Sequence, residues 1–226
     1  MIGSKKMDIK YRFYENEQSI VEKINSLEKM IKELPSEMKY QKQTICFEDL
    51  FIMSAVDKSL KLIDSFMFAF KNRNITVLAA LTRIQMDCVL RTFATTLVKD
   101  SSEFCKRILF EEQRIDKEKS ISGEKLTDNF LCRKFESVVE LPVLDLYQKV
   151  CGYVHFSASS LHNSVHSIGN DCFVMKISKY NQEEYVKIYE RLSIELANHF
   201  FYFGRILIEG ILKSWWQQKK ELYDNN

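Results

Sequence analysis

Apolar and polar positions recur with a helical period along most of the chain. Between residues 14 and 34, Ile20, Ile24, Leu27, Ile31 and Leu34 return every three or four positions with charges between them, which draws one apolar stripe on a helix. The stripe is too short for a coiled coil. It predicts a helical arm within residues 1–40 that docks on the body or on a partner, and Pro35 is expected to end it. Residues 44–71 predict a second helix rich in Phe and Met, KNRN at 71–74 a turn, and 75–98 a third helix. That third helix is apolar nearly all round, which places it at the centre of a bundle. Ser101 or Ser102 is expected to cap a fourth helix over 102–119, with Glu103 in its first turn.

SISG at 120–123 breaks the chain, and a shorter helix is expected over 125–140. Pro142 sits where a new helix would start, and that helix carries LPVLDLYQKVCGYVHF. The polar run 157–171 reads as a loop, CFVMKIS at 172–178 as a strand-like piece, and 182–222 as a long final helix with a bend at Gly204 or Gly210. The elements therefore predict an all-α, single-domain helical bundle over 41–226, with a long C-terminal helix and a short β-like excursion near 172–178.

Composition supports this class. Only 6 Gly and 2 Pro occur in 226 residues, too few turn-formers for a sandwich or barrel. The 46% of apolar residues is enough for a sizeable core and too much for a disordered chain. The charge balance, 33 basic against 31 acidic residues, leaves no bulk electrostatic footprint for nucleic acid, although a small basic groove stays open. The 6 Cys form no CxxC pair, which removes zinc ribbons and thioredoxin motifs. The first residues hold no apolar leader, so reduced thiols and a cytoplasmic location are expected. The most membrane-like stretch, 196–212, is interrupted by His199, Arg205 and Glu209, and reads as a buried helix.

Three places carry candidate chemistry. On the third helix, at 100° per residue, Thr76, Ala80, Arg83, Asp87, Arg91 and Ala94 fall on one narrow stripe. Arg83–Asp87 and Asp87–Arg91 are i,i+4 neighbours. The stripe is either a solvated charge ladder or a covered polar line in which two arginines hold an anion. In the helix after Pro142, Gln148, Cys151, Gly152 and His155 share a face, while Leu146, Val150 and Tyr153 share another. His155 falls at the helix end, where a neighbouring hydroxyl of Tyr153 or Ser157 would complete an acid/base pair; a structural His bonded to backbone carbonyls is the alternative. Third, His162 and His166 are four apart, but only Asp171 offers a carboxylate nearby, so no metal and no cofactor are expected. The chain has no P-loop, no GxGxxG and no GxSxG elbow. Trp215 and Trp216 read as packing at the end of the last helix.

The run from LTDNFLCRKFE to LYQKVCGYVHFSASSLHNS resembles a group of bacterial helical domains that carry a Tyr-x-x-x-(Ser/Cys)-x-(Tyr/Phe)-(Val/Ile)-His-x-Ser pattern. The matching residues are Tyr147, Cys151, Tyr153, Val154, His155 and Ser157, and LTRIQMDCVLRTF supplies the Arg83–Asp87 pair of an earlier helix. The resemblance spans about residues 45–210 by order of pattern. It is similar in outline to the HEPN superfamily of helical bundles, many of which are metal-independent RNases of defence systems, with an Arg shortly before a His on one helix at a dimer interface. Here no Arg precedes His155 at that distance, and Lys149 is the nearest cation, six residues back. The resemblance implies His155 as proton relay, Arg83 or Arg91 as the charge-stabilising group, RNA as substrate, and a homodimer or partner held through the N-terminal arm or the C-terminal helix. Beside it stands a second expectation, a non-catalytic scaffold or protein-interaction module. In it Arg83, Asp87 and His155, with Lys149, Tyr153 and Ser157 around them, form a polar network that fixes helix register.

Overall fold

The computed structural model describes Met7 and residues 9–37, 45–155, 165–169, 172–175 and 186–224. The chain is an all-α bundle. Helices α1 (Glu17–Glu37), α2 (Phe47–Lys71), α3 (Ile75–Ala94), α4 (Ser101–Phe110), α5 (Asp128–Glu136) and α6 (Val143–Val154) precede a short hairpin. Its strands, β1 (Val165–Gly169) and β2 (Cys172–Met175), pair antiparallel, with Val165 opposite Met175 and an irregularity between Ser167 and Gly169. Helix α7 (Val186–Arg205) then runs through a π-helical segment (Ile206–Leu212) into α8 (Lys213–Asp224).

Helix α3 is central because it packs on α2, α5, α6 and α7 at once. Leu78, Ala79, Met86, Val89, Leu90 and Phe93 are buried around it. Its inner side also carries polar groups, most of them bonded, with Gln85 Oε1 buried without a partner among the described residues. Gln85 donates to Ser59 Oγ at 2.8 Å, and Thr92 donates to the Cys88 carbonyl at 2.7 Å. Phe66 of α2 stacks on Phe200 of α7 at 4.0 Å, and Phe93 meets Phe135 of α5 edge-on at 5.1 Å. Burial of side chains this large stabilises the fold by about 2–3 kcal/mol each.

The stripe of α1 is buried in this same core: Ile20, Ile24, Leu27 and Ile31 are all covered, against α7 and α2. Gly204 lies at the close approach of α1 and α7: a Cβ there would lie 2.6 Å from Leu27 Cδ1, so the buried Leu27 side chain would have to shift.

Several boundaries differ from the sequence expectation. Helix α1 continues past Pro35 to Glu37. Asp100, not Ser101 or Ser102, caps α4, its carboxylate accepting from the Glu103 amide at 2.9 Å. Helix α4 stops at Phe110 although helix-favouring residues follow. Glu112 takes φ +53, a left-handed turn, and the Gln113 amide folds back to the Arg107 carbonyl at 3.2 Å, closing the helix. The strand-like piece is β2, but its partner β1 lies in the run read as a loop, whose Ser, Asn and Gly content hid a strand. The final helix is interrupted by a π segment that begins just after Gly204 and contains Gly210. Trp215 and Trp216 are both partly buried, 6.3 Å apart. Among the described residues no helix is long and apolar enough to cross a membrane.

Candidate functional site

The polar stripe of α3 is neither at the open surface nor sealed. Thr76, near its start, is exposed, Ala94 at its end is buried, and the charged residues between them are partly covered by α5 and α6. The cover is polar where it meets the stripe. Asp128, the first residue of α5, presents its carboxylate to both arginines: Arg91 Nη2 bonds Oδ1, and Arg83 Nη2 donates to Oδ2 at 3.3 Å. Asp87 pairs with Arg83 through Nη1 and lies 4.0 Å from Arg91 Nη2. Asp128 reaches this place because Thr127 caps α5, its Oγ1 accepting from the Phe130 amide at 3.4 Å, so the helix starts directly over α3.

Helix α6 adds the other wall. Tyr147 lies with its ring under the Arg83 guanidinium, 3.6 Å from centroid to carbon, and its hydroxyl donates to Asp87 Oδ1 at 3.3 Å. Cys151, one turn on, accepts from Arg83 Nε at 3.1 Å. Arg83 is thus held on every edge, and only 16% of its side chain is exposed, against 40% for Asp128. Burial pushes the Asp87 carboxyl above its ordinary range. Arg83 and Arg91 oppose that shift, and the nearby Asp128 charge adds to it. The Cys132 thiol beneath α5 is raised to about 12, by burial first, and stays a protonated packing group.

The four charges, two guanidiniums and two carboxylates, match. Beside them Arg91 and Asp128 open onto a cleft of about 660 Å³, completed by Arg114, Ile115, Asp116, Thr127 and Asn129. Arg114 is spent there as well, holding Asp116 through two contacts at 3.0 and 2.8 Å.

The remaining expected site residues lie apart. His155 is the C-cap of α6, exposed, with extended backbone and its amide on the Cys151 carbonyl at 3.0 Å. Among the described residues it makes no hydrogen bond or ion pair with Arg83 or Arg91. The face it shares with Cys151 points toward Arg83, but the contact is made one turn earlier. Lys149 pairs with Glu195 of α7 at 2.6 Å, and Tyr153 lies beside that pair with Leu146, Leu192 and Leu196. Ser157 and His162 lie outside the described residues. No group of three His, Cys, Asp or Glu among the described residues is placed to hold a metal ion. Cys46, Cys88, Cys105, Cys132 and Cys151 carry free thiols.

Sequence reasoning found the arginines and Asp87 but missed Asp128, and it gave Tyr147 and Cys151 no part in holding Arg83. The available signal was the Thr127–Asp128 pair opening a helix, which marks an acidic first turn but not the helix it faces.

No protein-family model, no curated protein and no solved structure matches this chain.

Proposed function

We propose that this chain is a non-catalytic helical interaction module, HEPN-like in outline, acting in a bacterial defence or stress system. The observation that carries the reading is the match of charges: Arg83 and Arg91 are each engaged by Asp87 or Asp128. A guanidinium that stabilises a phosphorane must offer free N–H groups to the developing charge. In this arrangement the Arg83 charge is already opposed: Nε donates to Cys151, Nη2 donates to Asp128, Nη1 is ion-paired with Asp87, and the face meets Tyr147, although Nη1 of Arg83 and of Arg91 is buried without a hydrogen-bond partner among the described residues. The cluster instead joins α3, α5 and α6 through opposed charges, which favours one register of the three helices. An apolar surface supports the interaction role. Ile45, Leu50 and Met53 are exposed along the start of α2, and exposed Phe110 of α4 meets Phe47 edge-on at 5.6 Å.

A metal-independent RNase is the second reading. It is favoured by the exposure of His155 on the face of α6 that also bears Cys151, and by the open cleft beside Arg91. Incubation of RNA in EDTA with wild type and His155→Ala decides between them. The interaction module predicts no cleavage by either protein. Cleavage by wild type that is lost in His155→Ala would establish the RNase instead.

A further inference from the structure

The segment before α1 is fastened along α7 by backbone and ring contacts, and its Met7, Ile9, Tyr11 and Tyr14 side chains pack on the edge of the core. Asn198 reads the backbone of Tyr14 on both sides: its Oδ1 accepts from the Tyr14 amide at 2.7 Å, and its Nδ2 donates to the Tyr14 carbonyl at 2.9 Å. One turn on, the Tyr202 hydroxyl donates to the Ile9 carbonyl at 3.0 Å. Farther along, Gly210 leaves a notch. A Cβ there would lie 3.0 Å from Met7 Sδ and 3.2 Å from Ile9 Cδ1. The Met7 amide donates to the Val138 carbonyl at 2.8 Å. Between these fastenings Tyr11 covers His199, the rings stacked at 5.7 Å and 22°, and Tyr11 meets Tyr202 edge-on at 5.2 Å.

His199 is the unusual member. Its Nδ1 is buried and has no hydrogen-bond partner among the described residues. We propose that Met7 and residues 9–16 form a latch that closes over α7 at neutral pH and lifts when His199 takes up a proton, baring Asn198, His199 and Tyr202. The inference is independent of the functional reading above.

Protonation places a donor on Nδ1 where neither an acceptor nor water is available. Lifting Tyr11 supplies water at once, whereas moving α7 would disrupt the core. Burial holds the imidazole down at about 4. Of the charges that face it, Lys149 of α6 opposes protonation and Glu195 of α7 favours it. Those two are bonded to each other, so they largely cancel. Tyr11, raised to about 12 chiefly by its own burial, stays neutral throughout. The sign follows: a His whose folded value is lowered keeps the closed state favoured above the ordinary 6.5, and the advantage is lost as pH falls toward about 4.

Hydrogen exchange read by mass spectrometry on the full chain, corrected for the intrinsic rate at each pH, tests the latch. In wild type the 9–16 amides are expected to lose protection about ten-fold or more between pH 7 and pH 4, while α2 and α3 keep theirs. In His199→Gln, which cannot charge, protection of the segment should persist at pH 4. Lys149→Met removes the opposing charge and leaves Glu195 unpaired, so release should move to higher pH by about half a unit or more. Retained protection in wild type at pH 4 overturns the proposal. So does loss shared with α2 and α3, loss in His199→Gln equal to wild type, or a Lys149→Met midpoint that stays or falls.

Discussion

Two places in this bundle keep charge away from water, and they do it differently. Asp49 of α2 and Lys219 of α8 form a buried ion pair, 4% and 8% exposed, and the Lys219 ammonium also lies over the Trp215 ring at 5.4 Å. Asp49 Oδ2 also accepts from the Cys46 amide at 2.9 Å, but its Oδ1 is buried without a partner among the described residues. The α3 cluster spreads its charge over Arg83, Asp87, Arg91 and Asp128, is wet on one side, and uses Tyr147 and Cys151 as neutral contacts. A buried ion pair depends on both members, since loss of either leaves the other charge in low dielectric without its counter-ion. A shared, half-open cluster can lose a member and let water take its place. The pair joins the C-terminal helix to the start of α2. The cluster joins α5 and α6 to the central helix α3.

The largest expected effect follows from the pair. Lys219→Met leaves the Asp49 carboxylate buried without a counter-charge and should destabilise the protein by about 3–5 kcal/mol in urea unfolding. Adding Asp49→Asn removes that charge while keeping an acceptor for the Cys46 amide, so the double variant should recover most of the loss. A single variant within about 1 kcal/mol of wild type would show that the pair is hydrated in solution, and the contrast between the two places would disappear.

Asp128→Ala sharpens the same contrast from the other side. It removes the carboxylate that both arginines share, yet 40% of that side chain is already in solvent. The expected cost is about 1–2 kcal/mol, discounted for screening. Raising the salt concentration should shrink the difference between Asp128→Ala and wild type, because the outer side of the cluster is screened. The cost of Lys219→Met should barely change with salt. Equal salt sensitivity of the two variants would mean that the cluster and the pair are equally wet.

These two places also differ in how far the sequence reveals them. The Arg83–Asp87–Arg91 line is legible from a 3.6-residue period, because its members are neighbours on one helix. Its fourth member is not, because Asp128 arrives from another element and nothing local to it names α3. Asp49–Lys219 is invisible for the same reason. Lys219 reads as one of the charges after two tryptophans, and Asp49 as a first-turn acid of α2. His155 illustrates a further limit. Its position at the end of α6 follows from periodicity, but whether a helix end points into a cleft or past it depends on how α6 crosses α3. The helical class itself was plain, since scarce Gly and Pro and long apolar stripes act over whole segments. The β1 strand escaped because a short hairpin is decided by pairing rather than by its own composition.

The finest test asks whether the cluster holds Arg83 by charge alone. Arg83→Lys keeps the charge. It removes the Nε–H that donates to Cys151, and it replaces a planar group stacked on Tyr147 with a compact ammonium. If charge were the whole account, the variant would match wild type. The stack and the thiol contact together should cost about 0.5–1 kcal/mol, less than Asp128→Ala, because Asp87 and Asp128 can still pair with the ammonium. Arg91→Lys provides the control, since Arg91 contributes no comparable stack or thiol contact, and it should cost less than Arg83→Lys. A second readout is independent of stability. With its donor gone, the Cys151 thiol should change its rate of reaction with iodoacetamide in Arg83→Lys and keep it in Arg91→Lys. Identical rates in both variants would show that the Arg83–Cys151 contact does not persist in solution, and the part of α6 in holding the cluster would then rest on Tyr147 alone.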